Sequence, residues 1–230
     1  MRKNLVLLRG GDKSLHPQWL GPDRSWDMAL SYYGDDPGRF KDQCDILHHY
    51  KGSKWQGIAD FVRLNGALIA GYEYLWLPDD DLWCQCATIN QFFELCRQFD
   101  FTIAQPSLTT NSYYSWPITL TQADATARVT DFVEIMAPCF KVATWHWFKD
   151  TLTENSSGFG LEWVWKDIAI RHDVFNFGII DATPVFHTRP VGSAGHGGGM
   201  NPMDELHQLL KKFNLSFTQP ETLKIIGKEM

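Results

Sequence analysis

The sequence predicts an α/β layer structure, and three observations carry that prediction. Short apolar runs alternate with segments of helical periodicity. Two of the helical segments open on a Ser/Thr-x-x-Gln pattern, the signature of a capping box. Several strand-like runs end in glycines, aspartates or a histidine, so chemistry is concentrated at strand ends. With 230 residues, 44% apolar and 21% charged, the chain suits one large domain with a real core, taken here as 1–230 with a helix and tail from about 200.

Asn4 to Leu8 is a compact apolar run that ends at Arg9-Gly10-Gly11 and reads as a buried strand. Trp26 to Tyr33 and Cys44 to Tyr50 follow as extended segments. Ser53-Lys54-Trp55-Gln56 opens a helix through Ile58, Phe61, Val62, Leu68 and Ile69, closed by Gly71. Tyr72 to Leu77 is the next strand. Thr88-Ile89-Asn90-Gln91 repeats the box and opens a helix to about Gln98. Phe101 to Gln105 and Asp131 to Ala137 read as strands. Helices are expected near Val142 to Thr151 and Leu161 to Ile170, and Phe177 to Phe186 reads as extended. Ser193 to Gly199, with four glycines, reads as a loop. Met203 to Phe213 is the final amphipathic helix, followed by a polar tail.

The net charge of −6 and the lack of any Lys/Arg cluster exclude a nucleic-acid footprint. A phosphate ester still has local cations to meet in Arg9, Lys54, Arg171 and Arg189. The four apolar residues after Asn4 are too few for a signal peptide, and no run approaches a membrane span. Five cysteines, an odd count in a chain of this size, suit reduced thiols and a cytoplasmic location. Cys84-x-Cys86 lacks the second pair a zinc site needs. No Gly-x-Ser-x-Gly elbow, P-loop or dinucleotide fingerprint is present.

Asp79-Asp80-Asp81 ends the run Tyr72 to Leu77, and three adjacent carboxylates repel one another. A hard divalent cation, Mg²⁺ or Mn²⁺, supplies a reason for them; an acidic turn helped by Pro78 is the alternative. His187 ends the Phe177 strand and reads either as an imidazole ligand or as a strand-end histidine on a backbone bond. Glu162 lies two residues after Gly160. The helix dipole alone explains a carboxylate there, and a general base with a raised pKa is the functional reading. Lys54 opens a helix whose free N–H groups attract anions, or is simply a solvated first-turn lysine. In an open α/β sheet, ligands sit beyond the carboxyl ends of the strands. Arg9-Gly10-Gly11, Tyr33-Gly34-Asp35, Asp79 to Asp81 and His187 therefore have reason to converge.

The ordered set resembles a GT-A glycosyltransferase. Tyr74 to Asp81 resembles that family's Asp-x-Asp motif, Gly158-Phe159-Gly160-Leu161-Glu162-Trp163 resembles the start of its catalytic helix, and His187 resembles its late metal ligand. Trp163 stands where the family often has a second carboxylate. Asn4 to Gly11, Lys51 to Trp55, Ala104 to Leu108, Phe132 to Pro138 and His187 to Gly192 also resemble a bacterial and plant domain family of unknown function. Its plant members carry a label relating them to lysine-ketoglutarate reductase trans-splicing.

The resemblance implies a GT-A-like (Rossmann-like) mixed, mostly parallel sheet flanked by helices. It also implies a metal-dependent transferase that moves a sugar from a nucleotide-diphosphate donor to a glycan or other hydroxyl acceptor, with inversion, in glycan or polysaccharide synthesis. Asp79, Asp81 and His187 would hold Mn²⁺ or Mg²⁺. Glu162 would be the base. Arg9, Gly10, Tyr33, Asp35, Lys54, Asp80 and Arg189 would contact the donor, and His196 and Gly197 would lie in a loop over the diphosphate. A carbohydrate-binding protein on a degenerate transferase scaffold and a sugar-nucleotidyltransferase are the alternatives.

Overall fold

The structure is a computed structural model that describes residues 2–192 and 200–227. His196 and Gly197 lie outside the described residues. Strands and helices alternate as follows: β1 Asn4–Gly10, β2 Trp26–Tyr32, β3 Ile46–His49, α1 Lys54–Ile69, β4 Tyr74–Trp76, β5 Leu82–Trp83, α2 Cys86–Gln98, β6 Ile103–Leu108, β7 Ala125–Thr130, β8 Cys139–Lys141, α3 Val142–Trp145, α4 Leu161–Arg171, β9 Phe177–His187, α5 Pro202–Phe213 and β10 Thr222–Gly227.

One mixed sheet runs in the order β10-β7-β9-β6-β8-β4-β1-β2-β3, with β5 pairing to β9 off that path. β1 to β4, β6, β9 and β10 point one way, while β5, β7 and β8 oppose them. This is the mixed, mostly parallel GT-A-like sheet that the resemblance implied. All seven residues of β1 are buried, because the strand is central and covered on both faces. Alternation then divides the core. Leu5 and Leu7 pack with Trp55, Phe61, Val164 and Trp165 under α1 and α4, while Val6 and Leu8 pack with Trp19, Trp76, Phe92 and Phe93 under α2. The tryptophans are mostly spent here: Trp19, Trp26, Trp55, Trp76 and Trp165 are among the largest fully buried side chains.

The box at Ser53 is present in full: Gln56 N–H bonds Ser53 Oγ at 3.4 Å and Ser53 N–H bonds Gln56 Oε1 at 3.2 Å. The box expected at Thr88 is not. α2 starts at Cys86 with Gln85 as an N-cap whose side chain makes no capping bond. The helix expected over Val142 to Thr151 is a four-residue α3 and a separate 3-10 turn, Lys149–Thr153.

The strand expected over Asp131 to Ala137 is displaced to β7, the six residues before it. Asp131 stops the ladder by accepting Glu221 N–H at 2.6 Å and Lys166 Nζ at 2.6 Å. Beyond it, side chains take the place of strand partners, as where Gln105 Oε1 accepts Glu134 N–H at 2.5 Å. The polar tail contains a strand. β10 pairs antiparallel with β7 while Leu223 and Ile225 stay exposed, so burial left no pattern to read. All five cysteines are free thiols.

Candidate active site

β1, β2, β4 and β9 end on one edge of the sheet, and most of the candidate residues lie there. Arg9 is buried, and its guanidinium donates to Ser31 O at 2.9 Å, to Tyr50 O and Gly52 O at 2.8 Å each, and to Ser53 O at 3.3 Å. It thus ties three strand ends to the start of α1, and burial lowers its pKa to about 10. Gly57 makes this possible, since a Cβ there would stand 2.4 Å from Arg9 Nε. The Tyr33 ring lies 5.1 Å from the Arg9 guanidinium carbon and against Gly11, where a Cβ would meet it at 2.4 Å. A Cβ at Gly10 would stand 2.9 Å from Leu30 Cδ1. Asp35 stands apart, in solvent, paired with Lys51 at 2.6 Å.

Each aspartate of the tract has a different partner. Asp79 Oδ1 accepts from Lys54 Nζ at 2.6 Å, and the same ammonium donates to Ile135 O at 2.7 Å and Met136 O at 3.0 Å. Burial raises the pKa of Asp79, against the opposing charge of Lys54. Asp80 Oδ2 accepts Gly11 N–H at 2.8 Å, and Oδ1 lies 3.4 Å from Arg189 Nη1. Burial pushes its pKa to about 6, with the Gly11 bond and Arg189 opposing and its two neighbouring aspartates adding. Arg189 also bonds Lys13 O.

Asp81 is brought to His187 by a two-residue strand that sequence reasoning missed. β5 pairs Leu82 with His187, and Thr188 N–H and Oγ1 bond Asp81 O at 3.1 and 2.8 Å. Asp81 Oδ2 then lies 3.4 Å from His187 Nε2, while Asp81 Oδ1 is buried without a hydrogen-bond partner among the described residues. His187 Nδ1 faces Tyr113 O at 2.7 Å, which assigns a proton to Nδ1; Nε2 faces Asp81 as a donor when the ring is protonated and is a free lone pair for a cation when the ring is neutral. Burial lowers the His187 pKa, but Asp81 more than offsets this and the net shift is upward.

Among the described residues, no three His, Cys, Asp or Glu side chains converge as metal ligands. The donors that fit a hard cation are the unpartnered Asp81 Oδ1 and the imidazole beside it. Asp79 can add only the oxygen that Lys54 leaves free. One or two protein ligands completed by substrate phosphates are an ordinary Mg²⁺ arrangement.

Glu162 is 4% exposed at the N-terminus of α4. Gly160, at φ 95°, turns the chain into the helix in a conformation that favours glycine, and its N–H bonds Glu162 Oε2 at 3.0 Å. Burial pushes the Glu162 pKa up to about 8, with the charge of Glu134 adding and the backbone N–H groups of Glu162, Gly160 and Ile135 opposing. Glu134 is the residue that sequence reasoning missed. It is 3% exposed, and burial pushes it to about 7, with Asp79 adding and the Ser115 side chain, His187 and Lys54 opposing. The signal was a lone carboxylate inside the apolar run Phe132 to Met136. A cleft of about 920 Å³ runs elsewhere, along α1 between Tyr50, Asp60, Arg63, Trp145 and His146, and is lined by none of Asp79, Asp80 and Asp81.

No protein-family model and no curated protein sequence matches the chain. Solved structures do. The 1–349 fragment of S. aureus TarS matches with a TM-score of 0.53 and 9% identity over 81% of this chain and 60% of that one. Intact S. aureus TarS matches at 0.56 and 9%, over 94% of this chain and 41% of that one. The fragment in complex with UDP-GlcNAc matches at 0.59 and 7%, over 94% and 68%. The chain thus spans between about two fifths and two thirds of the TarS chains it resembles. The fold is that of GT-A glycosyltransferases. At these identities the likeness is one of fold. No helix among the described residues is long and apolar enough to cross a membrane.

Proposed function

We propose that the chain is a glycosyltransferase that moves a sugar from a nucleotide-diphosphate donor to a hydroxyl acceptor with inversion. The observation that carries this reading is the convergence, on one sheet edge, of Asp80 with Gly11 and Arg189, Asp81 with His187, and Glu162 at a helix start. UDP-GlcNAc, bound by the S. aureus TarS fragment, is the first donor to test.

Tyr33 and the Gly10-Gly11 turn would receive the nucleoside, and Asp80, whose Oδ2 accepts Gly11 N–H at 2.8 Å, would meet a ribose or sugar hydroxyl. Arg189 and Lys54 supply positive charge near the diphosphate. Asp35, exposed on its loop, would meet the donor only at the outer rim. Asp81 and His187, with the free oxygen of Asp79, would hold Mn²⁺ or Mg²⁺. When bound, such a cation supplies Lewis acidity that neutralises the departing diphosphate. Glu162 takes the acceptor hydroxyl proton as that oxygen bonds the anomeric carbon. The bond from that carbon to the diphosphate breaks, and its electron pair leaves on the diphosphate oxygen. A carboxylate whose pKa is raised by burial is a stronger base for this step. A cytoplasmic location fits the free thiols and belongs to the same proposal.

The test is calorimetric titration of UDP and UDP-GlcNAc with Mn²⁺ or with chelator, followed by an assay of UDP release. Binding and UDP release that both depend on the site support the reading. Absence of nucleotide binding under either condition rejects it.

A further inference from the structure

Arg9, Ser31 and His48 stand side by side across three parallel strands. β1 and β2 pair Arg9 with Ser31, and β2 and β3 pair Ser31 with His48. Residues in register share one face of a sheet, and Gly57 of α1 lies against Arg9 on this one. Asp60, three residues further along α1, closes the row. Arg9 Nη1 lies 3.2 Å from Ser31 Oγ, Ser31 Oγ lies 2.9 Å from His48 Nδ1, and His48 Nε2 lies 3.0 Å from Asp60 Oδ2. Arg63 holds the other oxygen of Asp60 at 2.6 Å. The His48 ring is wedged between Phe61, edge-on at 5.6 Å, and the stacked ring of Tyr50 at 6.2 Å.

The end groups give the row a direction. A guanidinium only donates, so Ser31 Oγ accepts from Arg9. A carboxylate only accepts, so in the neutral ring of His48 the proton sits on Nε2 and Nδ1 is a lone pair. Ser31 sends its one hydroxyl proton to that lone pair. Serine, histidine and aspartate in line do not make a nucleophile here: Ser31 is 0% exposed, and its oxygen already accepts from a cation. The row leads instead to the candidate donor site. Among the described residues the five N–H groups of Arg9 meet five acceptors: Ser31 O and Oγ, Tyr50 O, Gly52 O and Ser53 O. None is left for a phosphate, so Arg9 acts through what it packs against, the Tyr33 ring. Tyr33 is 38% exposed and keeps surface open to a ligand. We infer that His48 is a positioning residue for nucleoside binding: anchored on Asp60, it orients Ser31, which holds Arg9 against Tyr33. Its meaning for the donor rests on the transferase reading. The hydrogen-bonded row stands on the geometry alone.

The test compares the wild type, Ser31→Ala, His48→Gln, His48→Asn and the Ser31→Ala/His48→Gln double variant. Calorimetry with Mn²⁺ reads the affinity for UDP and, in parallel, for inorganic pyrophosphate, and thermal unfolding checks that each variant folds. Glutamine keeps a donor near Asp60 but loses the acceptor that faces Ser31, whereas asparagine keeps a polar atom where Nδ1 stands. Ser31→Ala and His48→Gln should each weaken UDP binding roughly three- to tenfold, the worth of one hydrogen bond. The double variant should lose no more than either single one, because both break the same link. His48→Asn should stay within about twofold of the parent. Pyrophosphate, which carries no nucleoside, should bind all of them alike. Unchanged UDP affinity in the single variants, additive losses in the double, or UDP and pyrophosphate weakening together overturns the inference. Should the wild type bind no UDP, the transferase reading fails, and nitrogen-15 NMR of the histidine rings at pH 9 still decides the row. A bare Nδ1 on His48 whose signal moves in Ser31→Ala supports it, and a proton on Nδ1 overturns it.

Discussion

Lys54 Nζ lies 2.6 Å from Asp79 Oδ1 and spends its other two protons on the carbonyls of Ile135 and Met136. A lysine at the first turn of α1 thus occupies one oxygen of the first aspartate in the tract. Its ammonium has three donors and three acceptors, so it is fully satisfied. A cation drawn to Asp79 competes with it.

The Lys54→Met variant should show that competition. It removes the charge that faces Asp79 and orphans two carbonyls, at a cost of about 1–2 kcal/mol, since the pair is partly open to solvent. Mn²⁺ affinity should rise, because both oxygens of Asp79 become available. Calorimetry in the absence of nucleotide reads this directly. An unchanged Mn²⁺ affinity would show that lysine and metal do not share Asp79.

Asp81→Asn should remove the metal dependence of UDP binding while leaving Asp80 on Gly11 and Arg189. The reason is local: Asp81 Oδ1 is buried and has no partner among the described residues, whereas Oδ2 lies 3.4 Å from His187 Nε2 without a cation. Titration of UDP with and without Mn²⁺ measures it. If Mn²⁺ still strengthens UDP binding in the variant, the assignment of Asp81 is wrong.

What the sequence revealed was what chemistry writes locally. The Ser53–Gln56 box is made of groups three residues apart, and the glycines before Glu162 prepare a helix start within five residues, so both could be read in place. The meeting of Asp81 with His187 depends on β5, two residues long, whose partner lies about a hundred positions away. No periodicity announces such a strand. Glu134 was hidden for another reason. Phe132, Val133, Ile135 and Met136 give an apolar run that reads as a ladder strand, but the backbone there is held by side chains and by Lys54. β10 escaped because an edge strand pairs through its backbone and buries little.

Glu162→Gln should separate chemistry from stability. With the acceptor proton unclaimed, kcat should fall by about 10²–10⁴-fold while UDP affinity holds. The effect on stability runs the other way. Burial raises the folded-state pKa to about 8, above the usual carboxylate range, so the folded form keeps a proton that the unfolded chain releases. Stability from this group is complete at pH values below the unfolded pKa and is lost as pH rises through about 8. Glutamine, which never ionises, should therefore unfold at a higher Tm than the parent at pH 9 and at a similar Tm at pH 4. A parent-like Tm difference that does not change with pH would refute the raised pKa.

Arg128 and Asp181 form a bidentate pair inside the sheet, with both bonds at 2.9 Å and side-chain exposures of 1% and 0%. Arg128 also holds Ile118 O at 2.8 Å and Leu120 O at 2.9 Å, and Asp181 accepts Gln122 N–H at 2.8 Å. The pair therefore fastens the loop before β7 to β9, away from the aspartate tract. Arg128→Met strands a buried carboxylate and should cost about 3–5 kcal/mol in urea unfolding. Replacing both partners, as Arg128→Met with Asp181→Leu, removes the stranded charge and should recover a large part of that loss. UDP binding should survive in whichever variants fold. A single variant as stable as the double would show that the buried charge is already compensated from elsewhere.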